Sequence, residues 1–149
     1  MPVFAGYDHV DCRVRSLAAV EAFYDALMPE LSLPRKRFSY VDDDGEWHEA
    51  SADHRYNAIE FFEEAHLDRA TFFVGFIERG EHVPGATRIA FRVERSRLLE
   101  IESLLERIGA VRVERSDDFE EYPAVFFEDP AGTQLEIVAR AARTLELAG

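Results

Sequence analysis

Five histidines stand among the residues able to do chemistry in this chain: His9, His48, His54, His66 and His82. His9 opens the alternating run His9-Val10-Asp11-Cys12-Arg13-Val14. Successive side chains of an extended strand point to opposite faces, so His9, Asp11 and Arg13 share one face and Val10, Cys12 and Val14 the other. An imidazole on such a polar face titrates near neutral pH, which makes His9 a candidate general base. His48-Glu49 and His54 do not form a zinc-protease pair. That motif needs histidines four apart on one helical face, and a spacing of six turns a helix by about 600°. His48, His54, His66 and His82 read as loop or surface residues. Cys12 is the only cysteine, which excludes an intrachain disulfide and a paired-cysteine zinc or redox motif. The sequence has no glycine-rich phosphate loop, dinucleotide fingerprint or nucleophile elbow.

The elements that position these groups follow from the apolar pattern. Tyr7 to Val14 reads as a strand. Ser16 is a fair N-cap for a helix striped by Leu17, Val20, Phe23, Tyr24, Leu27 and Met28, which Pro29 and Pro34 end. Strands are expected over Arg35 to Val41, Tyr56 to Phe62 and Thr71 to Ile77. Asp42-Asp43-Asp44-Gly45 is a turn, residues 46–55 are loop or irregular strand, and Glu78 to Ala86 is a linker. The order then recurs. Thr87 to Val93 is a strand. Ser96 caps a helix striped by Leu98, Ile101, Leu104, Leu105 and Ile108, and Gly109 ends it. Strands over Val111 to Arg115, Tyr122 to Phe127 and Gln134 to Ala139 follow. Asp129-Pro130-Ala131-Gly132 between the last two suits a type I turn. A short helix or tail follows Arg140.

The two leading strands superpose without gaps: His9-Val10-Asp11-Cys12-Arg13-Val14 lies over Arg88-Ile89-Ala90-Phe91-Arg92-Val93, with one apolar phase and a helix after each. Such an internal repeat constrains a fold more than any single element. It predicts one α+β domain over residues 1–149 made of two βαβββ modules, about 7–77 and 87–139. A ferredoxin-like βαββαβ chain would have one strand fewer in each half.

The segments Asp8-His9-Val10 through Phe23-Tyr24-Asp25-Ala26-Leu27, Ala86-Thr87-Arg88-Ile89-Ala90-Phe91, and Ala124 through Val138 with Glu128-Asp129-Pro130-Ala131-Gly132 at its centre resemble the vicinal oxygen chelate superfamily, in particular its glyoxalase, bleomycin-resistance and dioxygenase-like branch. The resemblance covers roughly residues 7–139. It implies paired βαβββ modules whose sheets curl around a cleft, with metal ligands on the first and fourth strand of each module in metal-dependent members. Carried over, His9 and Glu136 fall on ligand positions. Arg88 falls where a metal-binding relative would commonly have histidine. The strand Thr71 to Ile77 offers no donor, and Glu60 belongs to the strand before it. Arginine has no lone pair for a metal, and His9 with Glu136 are too few ligands for a catalytic centre. The expectation is therefore a cleft containing His9, Arg88, Tyr122 and Glu136, with Arg88 paired to Glu136 and no complete metal site. A divalent Zn, Ni, Fe or Mn ion on His9 and Glu136 is the alternative.

Charge narrows the partners. Seventeen Lys and Arg against thirty Asp and Glu give a net charge of −13, a field that repels nucleic-acid phosphates and anionic lipid surfaces. The sequence contains no signal peptide and no apolar run near the ~20 residues of a membrane helix, so a cytoplasmic location is expected. Two functions are weighed: a protein that binds a small anionic or carbonyl-containing molecule, and a metal-dependent lyase, isomerase or dioxygenase. Both a cleft closed within one chain and modules exchanged between the chains of a homodimer are compatible with the repeat.

Overall fold

In the computed structural model, which describes residues 3–140, the expected apolar stripe is buried in full. Leu17, Val20, Phe23, Tyr24, Leu27 and Met28 all face inward from α1 (Leu17–Glu30). They lie on a sheet of β1 (His9–Val14), β2 (Arg35–Val41), β3 (Trp47–Glu49), β4 (Ala58–Phe62) and β5 (Phe73–Glu78), in the order β1-β5-β4-β2-β3. The second module contains β6 (Arg88–Arg92), α2 (Arg95–Arg107), β7 (Val111–Arg115), β8 (Ala124–Glu128) and β9 (Gln134–Val138), in the order β6-β9-β8-β7. In both modules the first strand runs parallel to the last, and the other pairings are antiparallel. With β3 set aside as a short arm on the edge of β2, the two sheets have one topology. This is the paired βαβββ fold. Within one chain the modules form two sheets that share no ladder.

The parallel registers place His9 opposite Phe73 and Arg88 opposite Gln134, so the two residues occupy equivalent positions, as the repeat predicts. Both helices end alike. Leu33 N–H donates to Met28 O and Ala110 N–H to Leu105 O, each across a left-handed residue, Ser32 (φ 64°) and Gly109 (φ 94°). This C-terminal motif satisfies carbonyls that the helix leaves unpaired.

Several boundaries differ from expectation. Ser16 stands at the N-cap of α1, but its hydroxyl makes no capping bond. The Leu17 N–H is instead satisfied by Glu78 Oε2 at 2.8 Å, so a residue expected in the linker ends β5 and caps a helix. Ser96 is not the cap of α2; Glu94 is, because its backbone is extended while its carbonyl accepts the first N–H, from Arg97. Pro29 lies inside the last turn of α1 rather than ending it. Tyr122 precedes β8, and Trp47–Glu49 resolve the ambiguous stretch as β3. The helix or tail expected after Arg140 lies outside the described residues.

One core joins the modules. The rings of Phe23 and Phe127 lie 6.4 Å apart, and Tyr24 stacks on Phe76 at 3.7 Å. Tyr24 Oη donates to Asp129 Oδ2 at 2.5 Å. Asp129 is fully buried, and its other oxygen accepts the N–H groups of Ala131 (2.8 Å) and Thr133 (2.9 Å). The Gly132 N–H to Asp129 O bond closes the expected turn. Burial and the Asp129 carboxylate hold the Tyr24 phenol well above its ordinary pKa, so it stays a donor. Removing that donor leaves one oxygen of a buried carboxylate unpaired, at a cost of about 1–3 kcal/mol. Tyr24→Phe is therefore expected to lower unfolding free energy by that amount in urea titration, and Asp129→Ala, which also frees two backbone N–H groups, by more. Equal stability of Tyr24→Phe and the wild type would remove this bond from the account.

Candidate functional site

Each sheet turns one face to its helix and leaves the other open. In module one Cys12 and Val14 face the core, while His9, Asp11 and Arg13 take the opposite face by alternation. The His9 ring stacks on Phe73 with centroids 4.6 Å apart and planes 2° apart. Its Nδ1 lies 2.7 Å from Asp8 Oδ2, and its Nε2 3.5 Å from Asp11 Oδ2. One strand over, Glu60 is buried on β4 and its Oε1 accepts from Ser39 Oγ at 2.7 Å, with Arg37 Nε at 3.9 Å. Between Asp11 and Glu60 stands Gly75, the register partner of both. A Cβ at Gly75 would meet Asp11 Oδ1 at 2.7 Å, so the missing side chain is what admits the carboxylate. Asp11 Oδ1 is buried with no hydrogen-bond partner. Sequence reasoning placed Asp11 in phase with His9 and Glu60 on its own strand, but gave neither a role. The absent side chain at residue 75 was the available signal.

The open face of module two has a different character. Arg88 is exposed and its guanidinium lies over the Phe126 ring, 4.6 Å from the centroid. Tyr122 Oη donates to Glu136 Oε1 at 2.7 Å, and Arg140 lies 5.8 Å from the Tyr122 centroid. The Glu136 bond, with partial burial, raises the Tyr122 pKa, while Arg140 and Arg88 pull it the other way. The expected Arg88–Glu136 ion pair does not form. Arg88 is opposite Gln134 while Glu136 is opposite Ala90, so the two stand on a diagonal and not side by side, and Tyr122 takes the carboxylate. Among the described residues Arg88 has no ion-pair partner. The structure thus groups Arg88, Tyr122 and Glu136 on one face, and sets His9 among Asp8, Asp11 and Glu60 on another.

This arrangement bears on a metal. No hydrogen bond or ion pair among the described residues joins His9 to Glu136, and neither residue belongs to a set of three closely spaced donors. The one such set among the described residues is Asp42, Glu46 and His48, on the turn between β2 and β3. There Asp42 Oδ1 accepts the N–H groups of Asp44 and Glu46, and Oδ2 meets His48 Nε2 at 2.7 Å, bonds that shape the turn. Among the described residues of one chain, His9 and Glu136 therefore do not belong to a common donor set. Nucleophilic cysteine chemistry is also disfavoured: burial, helped by Asp11, pushes the Cys12 thiol up to about 12, where the reactive thiolate is scarce.

No family model and no curated protein matches the sequence. Solved structures match across nearly the whole chain. A fosfomycin resistance protein, FosX, from Listeria monocytogenes superposes with a TM-score of 0.63 at 14% identity, covering 93% of this chain and 94% of that one. A point mutant of the same protein, complexed with Mn(II) and 1S,2S-dihydroxypropylphosphonic acid, gives 0.61 at 15% identity, covering 93% of each chain. A glyoxalase/bleomycin resistance protein from Albidiferax ferrireducens T118 gives 0.59 at 16% identity, covering 91% of this chain and 98% of that one. The fold is thus the one that the resemblance to vicinal oxygen chelate proteins implies.

The Asp8 hydrogen bond, opposed by slight burial and reinforced by the charge of Asp11, raises the His9 pKa above 6.5. Because the folded value lies above the unfolded one, protonated His9 favours the folded state fully below pH ~6.5, and that contribution is lost as pH rises through the raised value. The His9 ring resonances should therefore titrate above a free-histidine control by NMR, and Asp8→Asn should move the midpoint down. A midpoint unchanged by Asp8→Asn contradicts the assignment.

Proposed function

We propose that this protein binds a small organic molecule carrying an anionic or carbonyl oxygen on the open face of module two, anchored by Arg88. The observation that carries this reading is an exposed guanidinium, held over the Phe126 ring, with no carboxylate partner among the described residues. A stacked guanidinium is oriented through its ring contact and presents planar donors suited to a carboxylate, phosphate or phosphonate. Phe126 supplies an apolar floor. Tyr122 and Glu136 form a fixed polar pair beside it, able to accept from or donate to a second polar group of the ligand. The likeness to a resistance protein solved with a phosphonic acid gives an anionic small molecule a precedent on this fold. Sequestration or modification of such a compound is the corresponding role.

The second reading is a divalent-metal-dependent lyase, isomerase or dioxygenase. It is favoured by the contact between His9 Nδ1 and Asp8, since a carboxylate behind an imidazole fixes the tautomer and frees the other nitrogen for a metal. Under this reading His9 of one chain and Glu136 of a second are brought together in a homodimer.

Two measurements separate the readings. A thermal-shift screen of small carboxylates, phosphates and phosphonates should stabilise the wild type. Arg88→Ala should weaken the best compound by ~1.5–3 kcal/mol, the range for a charge-assisted hydrogen bond, while the fold survives. Protein purified without chelator or histidine tag should carry well under one equivalent of metal. Stoichiometric metal that is lost on both His9→Ala and Glu136→Ala decides for the second reading, and stabilisation that Arg88→Ala leaves intact defeats the first.

A further inference from the structure

A polar cavity lies at the seam of the modules, where the C-terminal end of α1 meets the N-terminal end of α2. Its volume is about 800 Å³, within the roughly 300–1,000 Å³ of small-molecule sites. Four arginines line it, Arg92, Arg95, Arg97 and Arg140, against two acids, Glu30 and Glu94. The excess of positive charge is local, since the whole chain carries −13.

The arginines are only partly explained by their neighbours. Arg97 bridges to Glu30 of α1 and reaches Glu100 at 3.0 Å. Arg95 has one loose contact, 3.6 Å to the exposed Glu120. Arg92 has no ion pair among the described residues. Arg95 and Arg97 also stand in the first turn of α2, which contains no acid. The backbone dipoles place partial positive charge at that end of the helix, so basic side chains there add to it, offset by the N-cap Glu94 alone among the cavity's residues on α2. Across the cavity, Ser32 takes a left-handed backbone (φ 64°) where the equivalent turn of module two has Gly109.

We propose that this seam cavity is a binding site for a small multivalent oxyanion, a compound bearing phosphate or carboxylate groups, held chiefly by Arg92 and Arg95. Several guanidiniums around one cavity match the planar, bidentate demand of such groups. The cavity's size exceeds a single phosphate and suits a polyphosphate, a polycarboxylate or a phosphorylated metabolite. Arg88 takes no part in the cavity, so the inference stands apart from the anchoring site proposed above.

The test is calorimetric titration of the full chain carrying Arg88→Ala, which removes the anchor proposed above, with inorganic pyrophosphate, at low salt and at roughly 150 mM salt, where the Debye length is about 8 Å. One equivalent should bind saturably. In that background Arg92→Gln combined with Arg95→Gln should weaken binding at least tenfold. Both replaced arginines are exposed and neither bridges the modules, so far-UV melting should show the double variant folded. Arg92→Gln alone should give a smaller loss in the same direction. Absence of saturable heat once Arg88 is replaced, affinity unchanged by the added double substitution, or equal displacement by chloride at matched ionic strength would each overturn the proposal.

Discussion

A fully buried carboxylate sets the frame of this molecule. Asp129 accepts from Tyr24 of α1 and from the backbone of its own turn. Taking a carboxylate out of water is costly unless its oxygens are satisfied, so turn, helix and side chain must be in place together. The consequences are geometric. The turn fixes where β9 begins, and that fixes its register on β6 and β8. Because Tyr24 belongs to module one and Asp129 to module two, the same bond sets one module against the other within a shared apolar core.

With registers fixed, the two open faces can be compared row by row. His9 corresponds to Arg88, Asp11 to Ala90, Gly75 to Glu136 and Glu60 to Phe126. Module one has carboxylates on the flanking strands and an empty central position. Module two has the carboxylate in the centre, flanked by an alanine and a phenylalanine. One backbone thus carries an acidic, histidine-bearing face and a cationic, aromatic face. The difference follows from volume as well as charge, since a side chain at residue 75 would displace Asp11, and a second carboxylate beside Glu136 would compete for Tyr122.

The helices show a parallel divergence. They end in the same hydrogen-bonded motif, yet neither N-cap side chain caps its helix. For α1 the duty passes to Glu78, sixty-one residues away in sequence. For α2 the first turn gathers arginines instead of acids. The local capping rule thus fails at both helix starts, and at α1 a long-range contact has taken over.

Periodicity determined much of the architecture. The stripe from Leu17 to Met28, the strand phase of His9 to Val14 and its echo at Arg88, and the Asp-Pro-Ala-Gly turn are all set by spacings of two to four residues, which chain geometry alone translates into faces and turns. The same phase put His9 and Arg88 on open faces. What neighbours those side chains would meet was decided elsewhere. Pairing Arg88 with Glu136 assumed adjacent strands bring charges together, but register left them diagonal and Tyr122, from outside the strand, reached the carboxylate first. Asp11 and Glu60 acquired meaning only when Gly75 stood between them. Alternation along one strand is a local property and can be read from sequence. Register between strands, and the side chain that arrives from a distant turn, depend on how the whole core packs, and only the tertiary structure decides them.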